Sequence, residues 1–149
     1  MEQDIRWLQR YDSFHRACSR VLELTESVRK PQDLSELEME GLVQRFEYTF
    51  ELAWKVLQDF LRYKGYEGIS GPNPVLQKAF EDGLLSEHDS WRRMAKARNT
   101  TSHIYNEGEA GEIVVKIYDE YSKLLRQLDN RLFKEKQNMN NNQDGLCTV

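Results

Sequence analysis

The stretch "GLVQRFEYTFELAWKVLQDFLRYKG", residues 41–65, decides the architecture. Leu42, Phe46, Thr49, Phe50, Ala53, Val56, Leu57, Phe60 and Leu61 recur at three- and four-residue steps, which gathers them on one face of a helix, and Gly65 closes the run as a C-cap. A stripe of this length must be covered by other helices.

Upstream, Ile5, Leu8, Tyr11, Ala17, Val21, Leu24 and Val28 trace a second stripe between Asp4 and Val28. Pro31 ends that helix, because proline has no amide donor and disfavours helix in the residue before it, and "DLSELEMEG" (33–41) is a capped restart. Downstream, the breaker-rich "GYEGISGPNP" (65–74) leads into a short helix, "PVLQKAFEDG" (74–83), with Pro74 in its first turn. A further helix is expected to open at Ser86, helped by Glu87 and Asp89, and to persist to about Arg98. Thr100, Thr101 and Ser102 then favour bonding to their own backbone, and "YNEGEAG" (105–111) is a turn. The last helix carries Val114, Ile117, Tyr118, Tyr121, Leu124, Leu125, Leu128 and Leu132, with Tyr118 and Tyr121 read as packing.

These elements predict an all-α protein, an antiparallel up-and-down four-helix bundle with an additional short helix. Residues 1–135 form a single domain of this kind, and residues 136–149 are expected to be a polar, disordered tail. The 149 residues suffice for one domain with a real core, and the net charge of -4 excludes a dominating basic arm, so any nucleic acid would be met locally. Cys18 and Cys147 have neither disulfide-framework nor metal spacing. With no bilayer-length apolar run and no signal-like N-terminus, the expected compartment is the cytoplasm. No metal or other cofactor is implied by the spacing of His, Cys and carboxylates; His15 and His88 are read as structural.

The chemistry concentrates in "RNTTSHIY", residues 98–105. Arginine is a planar, permanent cation suited to phosphate, and histidine titrates near neutrality. On a regular helix Arg98 and His103 stand about 140° apart, whereas Asn99 and His103 share a face. Convergence would need an unwound helix end, a two-fold dimer, or both. Such a cluster suits metal-free cleavage of RNA: His103 as general base or acid, Arg98 stabilising charge on the phosphorus oxygens, and Asn99 orienting. By residue type alone the same cations more often complement a helix C-terminus. Arg92, Arg93, Lys96 and Arg98 form a local basic stripe for RNA, or merely a solvated face. Glu47, Glu51 and Lys55 are four apart, either a solvent-facing ion-pair ladder or, with Trp54, a face turned toward a site or partner.

The Arg, four residues, His, one residue, Tyr pattern of "RNTTSHIY", followed by an acidic glycine-bearing turn, resembles the signature of HEPN domains. "QRFEYTFELAWKVLQDFL" (44–61) resembles the second helix of their nucleotidyltransferase substrate-binding branch, and the resemblance covers roughly residues 4 to 135. It implies a self-associating bundle, a dimer or dimer of dimers, with a minimal nucleotidyltransferase from an adjacent gene as partner. It further implies a ribonuclease toxin with Arg98 and His103 as the catalytic pair, Asn99 beside them, and Tyr105 as the phenol that the partner adenylylates. The alternative is a non-catalytic bundle that holds a substrate for the nucleotidyltransferase.

Overall fold

The computed structural model describes residues 2–101 and 107–147, with side chains from 5 to 101 and from 108 to 142. The described residues are all-helical, without a strand: α1 (Glu2–Thr25), α2 (Glu36–Tyr63), α3 (Pro72–Glu81), α4 (His88–Thr101), α5 (Glu107–Lys116) and α6 (Ser122–Cys147). A single 3-10 turn, Pro31–Asp33, precedes α2, and a π turn, Ile117–Tyr121, joins α5 to α6 in one long rod. Four principal helices and the short α3 make the bundle.

The predicted stripe of α2 is its core face, with Phe46, Ala53, Val56 and Leu57 fully buried. It packs on α1, α3, α4, α5 and α6, so α2 is the element every other helix touches. Aromatic pairs lock this packing: Phe46 stacks on Tyr121 at 5.5 Å, and Trp7 meets Phe60 edge-on at 4.8 Å. Two buried carboxylates are paired across helices. Arg10 Nε donates to the buried Asp59 at 3.0 Å, and His15 Nδ1 meets the buried Asp129 at 2.9 Å.

Several boundaries fall elsewhere than the pattern predicts. α1 ends at Thr25, because the Ser27 hydroxyl donates to the Leu24 carbonyl at 2.6 Å and accepts the Arg29 amide at 3.1 Å, closing the chain before Pro31 is reached. Val28 is consequently 92 % exposed, and Ile5 also lies outside the core. α3 begins at Pro72, behind Gly71, whose φ of 87° suits glycine and whose amide donates to Gln58 Oε1 at 3.2 Å. α4 starts at His88 rather than Ser86, since Glu87 takes a φ of 53°, and it continues to Thr101 rather than fraying at Arg98. Thr100 and Thr101 stay helical by donating their hydroxyls to the Ala97 and Arg98 carbonyls at 2.9 and 2.7 Å.

The last helix holds the largest difference. Residues 136–147, expected to be a disordered tail, continue α6, and Met139 packs at the edge of the core. The π turn had no signature in the sequence, where one apolar stripe runs unbroken through it. It carries more residues per turn than an α-helix. The stripe is thereby rotated in space, so that α5 lies against α2 and α6 chiefly against α1. His15 and Tyr11 meet Asp129 on that second face. Tyr118 and Tyr121 pack as expected, Tyr118 donating to the Leu24 carbonyl at 3.5 Å.

The entry to α2 is set by charge. Ser35 Oγ accepts the Glu38 amide at 3.1 Å, Glu38 Oε1 accepts the Ser35 amide at 3.0 Å, and the Arg29 guanidinium grips both oxygens of the same carboxylate. The Arg29 hydrogen bonds, seconded by the Ser35 amide, lower the Glu38 pKa to about 2. A carboxyl depressed in the fold contributes stability above its ordinary value of 4.5 and loses it as pH falls toward 2. Glu38→Gln should therefore lower the urea midpoint at neutral pH, with a gap to the native chain that narrows as pH falls below 4.5. A gap independent of pH would show that the charge is not what holds the helix entry.

Candidate functional site

Arg98 lies in the last turn of α4, and its side chain crosses to α2. Nη1 is 3.3 Å from Glu47 Oε2 and Nε is 3.6 Å from Glu51 Oε1, in a setting where the arginine side chain is 25 % exposed. Glu47 and Glu51 share a face because they are one helical turn apart. Trp54 extends that face: its Nε1 donates to Glu51 Oε2 at 3.1 Å. Lys55 turns instead to the Trp54 ring, with Nζ 5.7 Å from the centroid. The carboxylates thus meet a cation from another helix instead of forming a ladder with Lys55.

Both pairs are longer than the 2.7–2.9 Å of a charge-assisted hydrogen bond, so Coulomb attraction rather than a bidentate fork holds the guanidinium. Among the described residues Arg98 Nε is buried and makes no hydrogen bond, which leaves a donor under-used there. The chemical character is that of a cation positioned by two anions, with hydrogen-bonding capacity in reserve.

Asn99, one residue on, faces a different way. It lines a groove of about 540 Å³ between α3 and α4, together with Arg92 and Lys96 from its own helix and Asn73 and Gln77 from α3. Arg92, Lys96 and Asn99 follow each other at four- and three-residue steps, hence along one face. Arg93 stands at the groove's rim but is engaged, donating to Glu120 Oε1 and Ser90 Oγ at 2.9 Å; the Glu120 bond holds its pKa above the ordinary arginine value. His88 also lines the groove, its ring stacked on Phe80 at 4.8 Å. Asn73, Gln77 and His88 had no signal in the sequence, because α3 and α4 bring them together only by packing.

His103 and Tyr105 lie outside the described residues. Of the predicted site residues, the structure brings Arg98 together with Glu47, Glu51 and Trp54, and places Asn99 with Arg92, Arg93 and Lys96 in the neighbouring groove. Among the described residues no group of His, Cys and carboxylates is arranged to hold a metal ion, and no helix is long and apolar enough to cross a membrane.

Comparison with known proteins bears on this geometry. Residues 9–134 match the family model described as nucleotidyltransferase substrate binding protein like. The chain is 29 % identical over 109 residues to a protein of Haemophilus influenzae named "Probable ribonuclease HepT", covering 68 % of this chain and 75 % of that one. It also resembles a crystal structure from Thermus thermophilus, with a TM-score of 0.69 and 37 % identity, covering 80 % of this chain and 98 % of the other.

The ion pairs around Arg98 are part-exposed, so solvent screens them. A double-mutant cycle of Arg98→Gln with Glu47→Gln, followed by denaturant unfolding, should give a coupling of about 0.5–1 kcal/mol in favour of the pair. A coupling of zero would mean that Glu47 does not hold the guanidinium.

Proposed function

We propose, from the premise that this chain belongs to the nucleotidyltransferase substrate binding protein like family, that it is a metal-independent endoribonuclease of the HEPN type. In this reading it is the toxin of a toxin–antitoxin pair, and Arg98 and His103 carry the reaction. The observation that carries the proposal is Arg98 itself. It is anchored at the end of α4 by Glu47 and Glu51, retains a buried donor without a hydrogen bond, and begins the "RNTTSHIY" motif. The ribonuclease name of the Haemophilus relative supports the same chemistry.

The step needs no cofactor. The imidazole of His103 takes the proton of an RNA 2'-hydroxyl, whose oxygen bonds to the adjacent phosphorus. The bond from phosphorus to the 5'-oxygen breaks, and that oxygen takes up a proton to leave as a hydroxyl. Arg98 stabilises the charge on the non-bridging oxygens, and the donor that the carboxylates leave unmet is then satisfied. A 2',3'-cyclic phosphate and a 5'-hydroxyl result. In this reading Arg92 and Lys96, which line a groove with Asn99, contact the backbone of the same RNA.

The protein acts as a homo-oligomer, a dimer or dimer of dimers, in which two motifs face each other and overcome the helical separation of Arg98 from His103. Its partner is a minimal nucleotidyltransferase from an adjacent gene. Adenylylation of Tyr105 by that partner puts an anionic, bulky group beside the phosphate site and silences it.

A second reading, a non-catalytic substrate-binding subunit of the nucleotidyltransferase, is favoured by one observation: Arg98 is already matched by two carboxylates. RNA cleavage in EDTA separates the two. Native protein should yield cyclic-phosphate ends, and Arg98→Ala and His103→Ala should each lower the rate by a factor of about 100 or more while remaining folded. Equal inertness of all three, with Tyr105 unmodified by mass spectrometry, would leave the binding subunit.

A further inference from the structure

A second cationic groove runs along the seam between α1 and α2. It measures about 640 Å³ and is lined by Arg16 and Arg20 of α1 and by Gly41, Gln44, Arg45 and Tyr48 of α2. In a chain of net charge -4, no carboxylate belongs to this lining. Asp12, one turn before Arg16, pairs with it at 3.1 Å, an exposed i,i+4 contact that a stronger anion can displace. Arg45 is held across the groove by donating from Nη1 to the Arg20 carbonyl at 3.2 Å.

Two further features describe what the groove admits. Tyr48 is 62 % exposed, a large aromatic face left in water. Gly41 stands inside α2 although its backbone is ordinary helix and a methyl group there would meet nothing within 4 Å. A glycine inside a helix costs about 1 kcal/mol relative to alanine. Neither φ nor packing in the bundle requires it, and the open space it leaves adds room to the groove.

We propose that this groove binds the phosphodiester backbone of single-stranded RNA outside the catalytic motif, with the guanidinium groups on phosphates and a base stacked on Tyr48. The inference rests on the reading of RNA as the substrate. Guanidinium forks match phosphate oxygens in shape and charge, and an exposed tyrosine beside them accepts any base. Arg16 and Arg20, one helical turn apart, stand about 6 Å apart along the axis, so they can meet successive phosphates. A protein partner would need an apolar centre, and apart from Tyr48 and the small Ala17 the groove offers none. Tyr48 also follows Glu47 directly, so a strand leaving the groove over α2 arrives on the face that holds Arg98.

The test is binding of a labelled single-stranded oligoribonucleotide across a salt series. It compares the native chain, Arg16→Gln/Arg20→Gln/Arg45→Gln, and a control that removes three exposed cations elsewhere, Arg6→Gln/Lys123→Gln/Lys134→Gln. The groove variant should bind roughly tenfold or more weakly than the control, and its slope of log affinity against log salt should be shallower by about two. Tyr48→Ala should weaken binding and Tyr48→Phe should not.

If native protein binds and cleaves RNA while groove and control variants behave alike, the groove inference fails and the ribonuclease reading stands. If native protein binds without cleaving and the groove variant still loses affinity, the groove is upheld and catalysis is not. Absence of RNA binding in the native chain overturns both. A groove variant that binds RNA like the control but has a lower mass by light scattering assigns the groove to contact between copies, which also overturns the proposal.

Discussion

The burial of one face of α2 constrains every other part of the molecule. Phe46, Phe50, Ala53, Val56, Leu57 and Phe60 are all within 2 % of complete burial, and the five other helices are arranged to keep them so. The phase of this stripe leaves two further sectors of the same helix. Glu47 and Glu51 flank the core and meet Arg98 from α4, with Trp54 bonded to Glu51, whereas Gly41, Gln44 and Tyr48 look outward beside α1. The polar geometry is therefore slaved to the hydrophobic register. A slip of α2 by one residue would turn it by about 100° and separate Arg98 from both carboxylates while exposing the core.

The helical period made the bundle legible from spacing alone. The core of α2, the short α3 and the four principal helices follow from it, because burial of apolar surface dominates the drive to fold and its imprint repeats along the chain. What escaped was local or non-local in a way spacing does not encode. Ser27 ends α1 through two hydrogen bonds of its own side chain, and Glu87 delays α4 by a single left-handed residue. The spacing of Glu47, Glu51 and Lys55 is compatible with a ladder, and only the approach of α4 shows that a cation far along the chain takes the carboxylates instead. Likewise the basic stripe of Arg92 and Lys96 is legible in the sequence, but the place of Asn99 beside it and the opposite wall from α3 are not.

Arg98 illustrates how a conflict of charge becomes useful. Two carboxylates fix the guanidinium more surely than one, and under the proposed reaction they would also oppose an incoming phosphate. Because neither contact is a short hydrogen bond, the arginine is oriented without being saturated. Basic side chains in the α3–α4 groove sit next to that cluster and offset its negative charge where a polyanion would approach.

The π turn at Ile117–Tyr121 sets the phase of the last helix relative to α5. Winding that turn back to an ordinary helix, normally the more comfortable form for a chain, without shortening the chain would tighten it by about one residue's rotation. Everything beyond would swing by about 100°, taking Asp129 from His15 and Arg126 from Glu26 in a single event. A local irregularity thus acts as a fixed offset on which distant partners depend. The wide turn and one residue of chain length compensate each other, and only their joint loss would leave Asp129 and Arg126 where their partners meet them.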